Sequence, residues 1–497
     1  MALPSFQLWL ALLLLAAVCA SAVNPRIFAG LGGLKRLAAS RSFSDLPPEY
    51  EIHYYRQTLD HFNYKPESYA TFQHRYILNY KYWGGANISS PIFVYTGEED
   101  DITYDVEGFI LDLAAGFKGL LLYIEHRYYG KSMPFGSENQ AFQNSSTLGY
   151  LSSEQALADY AQVIVDVKKN LSAENCPAIA VGASYGGMLA SWFRLKYPHI
   201  IIGALASSAP ILYFEDITPQ DGYHAVVSRN FRNTSESCYN TIKKSWSEID
   251  RVGAETNGLL TLGNIFNSCM PLNSSQELKD YLALIYKLSA QFDNPPDYYV
   301  ENLCKAIDGA PQGTDTLGRV AAGLNASTIF GEGSCLYVYE PPVISRQSAW
   351  SWQTCTEMVI PRGVDNNNTM FELSPFDLNN FTKTCQEVFG VTPRPSWVPV
   401  QFGGRDIKSA LENFASNIIF SNGFRDPWSA GGVLENISDS VVAIHTDRGA
   451  HCLDLLSPTR SDPAWLVDQR DKEIKIIAFW LEEYYAKLAS KTRGRTG

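Results

Sequence analysis

The chain has 497 residues, 45% of them hydrophobic and 19% charged, and a formal net charge of −12. That length exceeds what one hydrophobic core usually fills, so two domains are expected. The acidic balance argues against a nucleic-acid partner and suits a protein that works in an acidic lumen.

Residues 1–22 read as a signal peptide, because an apolar stretch over 8–18 ends in Ala20-Ser21-Ala22, a small-x-small cleavage pattern. The apolar run is too short to span a bilayer easily, and no other membrane candidate follows. Residues 23–45, with Arg26, Lys35, Arg36 and Arg41, are a candidate propeptide or N-terminal arm. From 46 to 211 short apolar runs at 91–95, 120–124, 177–181 and 201–206 read as buried strands bounded by turns. Between the second and third lies a helical pattern over 152–164, with apolar positions 156, 157, 160, 163 and 164 and an N-cap at Ser152 or Ser153. This alternation predicts an α/β class with a doubly wound, mostly parallel sheet, here the first part of an α/β-hydrolase core.

The third strand runs into Val181-Gly182-Ala183-Ser184-Tyr185-Gly186-Gly187 and then an apolar helix. In a G-x-S-x-G turn between strand and helix only small residues fit two positions either side of the serine, which leaves its hydroxyl exposed at the carboxyl end of the sheet. Ser184 is therefore the candidate nucleophile.

Between 212 and 400 the alternation gives way to helical patterns, cysteines and loops carrying proline and asparagine, which predicts an inserted, mainly helical cap. Six cysteines fall there, Cys238, Cys269, Cys304, Cys335, Cys355 and Cys385, while Cys176 and Cys452 lie outside. An even, clustered set in a secreted chain reads as disulfides. Close C-x-x-C or H-x-x-x-H pairs do not occur, so neither a metal nor another cofactor is expected. Residues 401–497 supply the second part of the core, with strands near 417–420 and 441–444 and a closing helix over 464–488.

A nucleophilic serine needs a base and a group that orients it, and in this fold they follow in the order acid, then histidine. His445 ends an apolar strand, whereas His451 sits in the loop beyond it and is the candidate base. Asp426 lies in the loop after the 417–420 strand and is the candidate acid, with Asp447 and Asp454 as alternatives closer to the histidine. Nine N-x-S/T sequons, at Asn87, Asn144, Asn170, Asn233, Asn273, Asn325, Asn367, Asn380 and Asn436, fit passage through the secretory pathway to a lysosome, a vacuole or the exterior.

Several longer motifs stand in order along the chain: Glu125-His126-Arg127-Tyr128-Tyr129-Gly130, Ser153-Glu154-Gln155-Ala156-Leu157-Ala158-Asp159, Gly182 to Met188, Phe420-Ser421-Asn422-Gly423, Asp426-Pro427-Trp428-Ser429 and Gly449-Ala450-His451. From about Tyr54 to about Tyr485 the chain resembles the serine-peptidase family of lysosomal Pro-X carboxypeptidase and dipeptidyl peptidase II. The resemblance implies an α/β-hydrolase core, a helical cap and cleavage after proline in peptide substrates, with a homodimer as a candidate assembly. It puts the catalytic set on Ser184, Asp426 and His451, and implies the disulfides Cys238 to Cys304, Cys269 to Cys335 and Cys355 to Cys385. In this mechanism the oxyanion donors would be the backbone N–H of Tyr185 and one from the loop at Gly97 and Glu98. Met188, Ile360 and Trp428 are candidates for a proline-ring pocket.

The chain also departs from the family pattern. Cys452 stands where animal members carry a second histidine, and Thr96-Gly97-Glu98-Glu99-Asp100-Asp101 replaces Thr-Gly-Asn-Glu-Gly-Asp, which adds negative charge and predicts an altered preference or pH profile. A carboxypeptidase acting on Pro-X ends is the first expectation and a dipeptidyl aminopeptidase releasing Xaa-Pro the second. Dipeptidyl peptidase II has an aspartate at the Ser351 position, so Ser351 favours the former, while Glu98 or Glu99 could instead receive a substrate amine. An esterase, or a hydrolase scaffold kept only for binding, is the remaining alternative.

Overall fold

The computed structural model describes residues 46–327, 335–336, 338, 344–403 and 405–494. The expected signal segment and N-terminal arm lie outside the described residues.

Eight strands form one sheet: β1 (Tyr50–Thr58), β2 (Thr71–Asn79), β3 (Ile92–Thr96), β4 (Leu120–Ile124), β5 (Ala178–Ala183), β6 (Gly203–Ser207), β7 (Ile418–Gly423) and β8 (Val441–Thr446), in the spatial order β1-β2-β4-β3-β5-β6-β7-β8. Pairs from β4 to β8 are parallel, and β2 runs antiparallel to both its neighbours. This is an α/β-hydrolase sheet. Strands β3 to β7 are buried along their whole length, which is why they read as unbroken apolar runs. The β6 strand begins two residues later than its apolar run. The β1–β2 ladder was not expected: β1 is a largely exposed edge strand of mixed polar and aromatic residues with no apolar run to announce it.

The helices of eight residues or more that matter here are α1 (Ile110–Phe117), α2 (Ser153–Asn170), α3 (Ser184–Lys196), α4 (Gly222–Thr234), α5 (Glu236–Gly253), α6 (Gly258–Ile265), α7 (Ser275–Gln291), α8 (Tyr299–Asp308), α9 (Thr316–Asn325), α10 (Ala349–Thr356), α11 (Leu378–Phe389), α12 (Ile407–Phe414) and α13 (Ala464–Gly494). Ser152 caps α2 by accepting the Gln155 N–H, as its sequence predicts. Helices α2 and α3 cover one face of the sheet with Leu157, Tyr160, Leu189 and Trp192. Helices α1 and α13 cover the other, with Leu113, Ile477 and Trp480 against Phe93 and Tyr123.

The helical stretch between β6 and β7 packs as two units. Helices α4 to α9 surround their own apolar core, which includes Phe231, Trp246, Leu282, Tyr286 and Val300. Within or beside it lie the disulfides Cys238–Cys304 and Cys269–Cys335. Helices α10 and α11, joined by Cys355–Cys385, instead pack Trp352 and Phe389 against Tyr128 and Leu148 of the segment after β4. The short helix Trp397–Phe402 crosses the expected 400/401 junction and belongs to the sheet's core, where Phe402 stacks on Trp192 at 4.1 Å.

Candidate active site

Ser184 follows β5 directly and opens α3 with φ of +53°, a left-handed conformation rare for a residue with a side chain. The surrounding glycines make that turn feasible. A Cβ on Gly182 would collide with the Gly186 carbonyl, and one on Gly186 would lie 2.6 Å from the Thr96 carbonyl oxygen. The Thr96 hydroxyl donates to the Gly186 carbonyl at 2.7 Å and ties the turn to the end of β3.

Asp426 and His451 follow β7 and β8, the strands two and three places across the sheet from β5, so all three side chains leave the same carboxyl edge. Asp426 is fully buried and uses both oxygens. Its Oδ1 accepts the Trp428 N–H at 2.9 Å, capping the turn Pro427–Gly431, and its Oδ2 lies 2.8 Å from Nδ1 of His451. An Nδ1–H donated to Asp426 leaves Nε2 as the basic nitrogen, and Nε2 is buried with no hydrogen-bond partner. The two loops are also knitted through backbone: Arg425 N–H donates to the Gly449 carbonyl at 3.0 Å, and His451 N–H to the Gln291 carbonyl at 3.0 Å. His445 is exposed and stacks on Phe424, Asp447 is exposed, and the buried Asp454 accepts the Ser207 hydroxyl at 2.5 Å.

Tyr185 follows the serine, and its hydroxyl joins a one-way chain of hydrogen bonds. Gln353 Nε2 donates to it at 2.8 Å, and it donates in turn to Nε2 of His126 at 3.1 Å, whose Nδ1–H meets the Arg127 carbonyl at 2.7 Å. The direction requires a neutral imidazole, and burial pulls His126 down to about 4. Gln353 also accepts the Tyr129 hydroxyl at 2.6 Å and donates to Glu357 at 3.1 Å. Glu357 is pushed up to about 7 by burial, against the hydrogen bonds it accepts from Ser153.

The loop after β3 corrects one assignment. The Gly97 N–H donates to the Ile124 carbonyl at 2.9 Å and so cannot serve an oxyanion. Glu98 is buried against the elbow, since a Cβ on Gly186 would meet its Cβ at 3.4 Å. Glu99 is buried beside it, in the field of Tyr129. Met188 is buried in the apolar cluster of the sheet, Trp428 packs half-buried against the helical cluster, and Ile360 borders both. Ser351 lies on α10 with its hydroxyl accepting the Ser345 N–H at 3.2 Å. Cys452 is buried with φ of +54° and its N–H donating to the Ser208 hydroxyl. Burial first, then nearby carboxylates, push its thiol well above the usual range. Gln291, Gln353 and Glu357 were missed from sequence, because nothing local to them signals a site; each reaches it only through the folding of the helical insertion.

The sequence pattern of the family Serine carboxypeptidase S28 matches residues 57–473. The chain is similar to lysosomal Pro-X carboxypeptidase of Bos taurus, with 38% identity covering 97% of this chain and 98% of that one. It is similar to the Homo sapiens protein of the same name at 37% identity over 93% and 95% of the two chains. A more distant relative is thymus-specific serine protease of Mus musculus, 28% identical over 86% and 87%. With the pattern running from the β1 edge strand into α13 and enclosing the strained Ser184 turn and the Asp426–His451 pair, the chain belongs to the serine carboxypeptidase S28 family.

Proposed function

We propose that the chain is a serine exopeptidase that removes the C-terminal residue from peptides ending in Pro-X. The observation that carries this reading is the Asp426–His451 pair, 2.8 Å apart and buried at the sheet edge that Ser184 also leaves, in a chain alike over nearly its full length to lysosomal Pro-X carboxypeptidases.

In this reading His451 Nε2 takes the proton of Ser184 as its oxygen attacks the carbonyl carbon of proline. Asp426 holds the imidazole in the required tautomer and stabilises the imidazolium. The backbone N–H groups of Tyr185 and Glu98 receive the developing oxyanion, a contribution of about 3 kcal/mol for each such donor. The protonated imidazole then passes its proton to the leaving amine, and water repeats the sequence on the acyl-enzyme. Helices α4 to α11 act as the cap, and Ile360, Trp428 and Met188 form the wall for the proline ring.

Three disulfides, and exposed asparagines at all nine sequons, support a glycosylated protein of an oxidising route, with the lysosome as its destination. No helix among the described residues is long and apolar enough to cross a membrane. The function is tested by mass analysis of products from a peptide ending in Ala-Pro-Phe and from a Lys-Pro-amide reporter, with Ser184→Ala as control. Loss of Phe alone supports the proposal, whereas release of Lys-Pro alone makes the enzyme a dipeptidyl peptidase.

A further inference from the structure

Cleavage of a Pro-X end has a geometric consequence. The leaving amine and the free carboxylate belong to one residue, two bonds apart, so whatever binds that carboxylate must sit beside the imidazole that protonates the amine. Arg362 occupies such a place. Its guanidinium lies 5.2 Å from the ring centre of Trp428 and 4.8 Å from that of Tyr223. Trp428 Nε1 and Tyr223 OH both donate to Oε1 of Gln291, at 3.2 and 3.1 Å, and the Gln291 carbonyl takes the His451 N–H. Trp428 N–H is also the donor held by Asp426. The guanidinium is thus stacked on the residues that fix the candidate base and its acid.

No carboxylate neutralises it. Arg362 is exposed, and its side chain makes no hydrogen bond or ion pair among the described residues. The other cations nearby behave differently: Arg425 is paired with Asp293 at 2.7 Å, and Arg229 donates to the Phe424 carbonyl. Two more basic side chains face the same region. Lys287 lies one turn before Gln291 on α7, a spacing that puts both on one helix face. Burial, then the charge of Arg362, pulls its ammonium down to about 8. His224, beside Tyr223, is 8% exposed with Nδ1 unpartnered, and burial, then Lys287 and Arg362, pulls it down to about 3. Arg362 and Lys287 are thus two cations with no carboxylate bonded to either among the described residues, next to a buried imidazole with an unpartnered nitrogen, a setting suited to an anion.

We propose that Arg362, with Lys287 beside it, receives the free α-carboxylate of the residue leaving from a Pro-X end, and so makes the enzyme select chain termini. This rests on the Pro-X reading. A guanidinium suits the task because its fork of N–H donors matches the two oxygens of a carboxylate.

The test compares kcat/KM for an Ala-Pro-Phe peptide as the free acid and as the C-terminal amide, in the wild type, Arg362→Gln, Arg362→Lys and Lys287→Gln. Loss of a charge-assisted hydrogen bond to the carboxylate should lower acid cleavage by Arg362→Gln roughly 10- to 100-fold. The amide, with no carboxylate to meet, should fall far less, so that the acid-to-amide ratio collapses; Arg362→Lys should restore part of the ratio and Lys287→Gln should reduce it less. An unchanged ratio in Arg362→Gln would overturn the assignment while leaving the Pro-X reading intact. A wild type that releases neither Phe nor Phe-amide would overturn the Pro-X reading itself, and this assignment with it.

Discussion

His451 donates its backbone N–H to the carbonyl of Gln291, 3.0 Å away at the end of α7. A residue of the helical insertion therefore holds the loop of the candidate base, and its side chain, through Trp428 Nε1, also holds the turn of the candidate acid. Arg425 and Asp293 add an ion pair between the same two parts of the chain. The insertion is in this way a component of the site's geometry.

Replacing Gln291 with Leu keeps the backbone bond and removes the acceptor for Trp428 Nε1 and Tyr223 OH. Each orphaned donor costs about 1–3 kcal/mol if it stays buried. The variant should melt several degrees lower and lose activity mainly in kcat, since the Asp426 turn loosens. Thermal unfolding followed by steady-state kinetics checks both parts.

Asp426→Asn should fold, because asparagine keeps the cap on the Pro427–Gly431 turn. It should nonetheless lose about 10⁴ in kcat, since the amide no longer favours the tautomer with its proton on Nδ1. A melting temperature near that of the wild type together with this loss would separate a chemical role from a structural one.

The buried Glu357 should favour folding at acidic pH. Glu357 is raised to about 7 by burial, from 4.5 in the unfolded chain, so the folded protein binds more protons between these values and stability falls as pH rises through that window. The contribution is about 3 kcal/mol. Asp454 and Glu473, both raised by burial, act in the same direction. Asp159 does not offset them there: burial opposes its charge, but the ion pair with Arg127 outweighs burial and holds it near 2. His126 and His224, both held low by burial, act in the opposite direction below about pH 6.5, so the check on Glu357 is a difference: Glu357→Gln should raise the melting temperature at pH 7.5, relative to that at pH 5, above the wild-type value of the same difference.

Cys176 and Cys452 are buried and unbonded. A thiol reagent should label neither in the native protein and both after unfolding without reductant. Rapid native labelling of Cys452 would contradict the packing described around His451.

The parts legible in the sequence were those fixed by local pattern. Buried parallel strands announce themselves as apolar runs, and Gly182 and Gly186 mark the elbow because the turn tolerates no Cβ. The chain order of Asp426 and His451 then selected one acid and one histidine from several. The β1–β2 ladder was not legible, because edge strands such as Tyr50–Thr58 keep polar residues on their open face. Nor were Gln291 and Arg362: one is the last residue of an amphipathic helix, the other a single exposed arginine, and only the tertiary fold brings them to Trp428. Gly97 was misassigned because sequence shows that a glycine loop follows β3 but not that its N–H already serves the Ile124 carbonyl.

The central claim is that Ser184 is a nucleophile activated by His451. The most direct measurement is peptide mapping after reaction with a fluorophosphonate, in the wild type and in His451→Ala. A single adduct on the peptide containing Ser184, formed rapidly in the wild type and slowed at least about 10³-fold in the variant, is the predicted result. An adduct on another residue, or labelling of Ser184 at the same rate without His451, would contradict it.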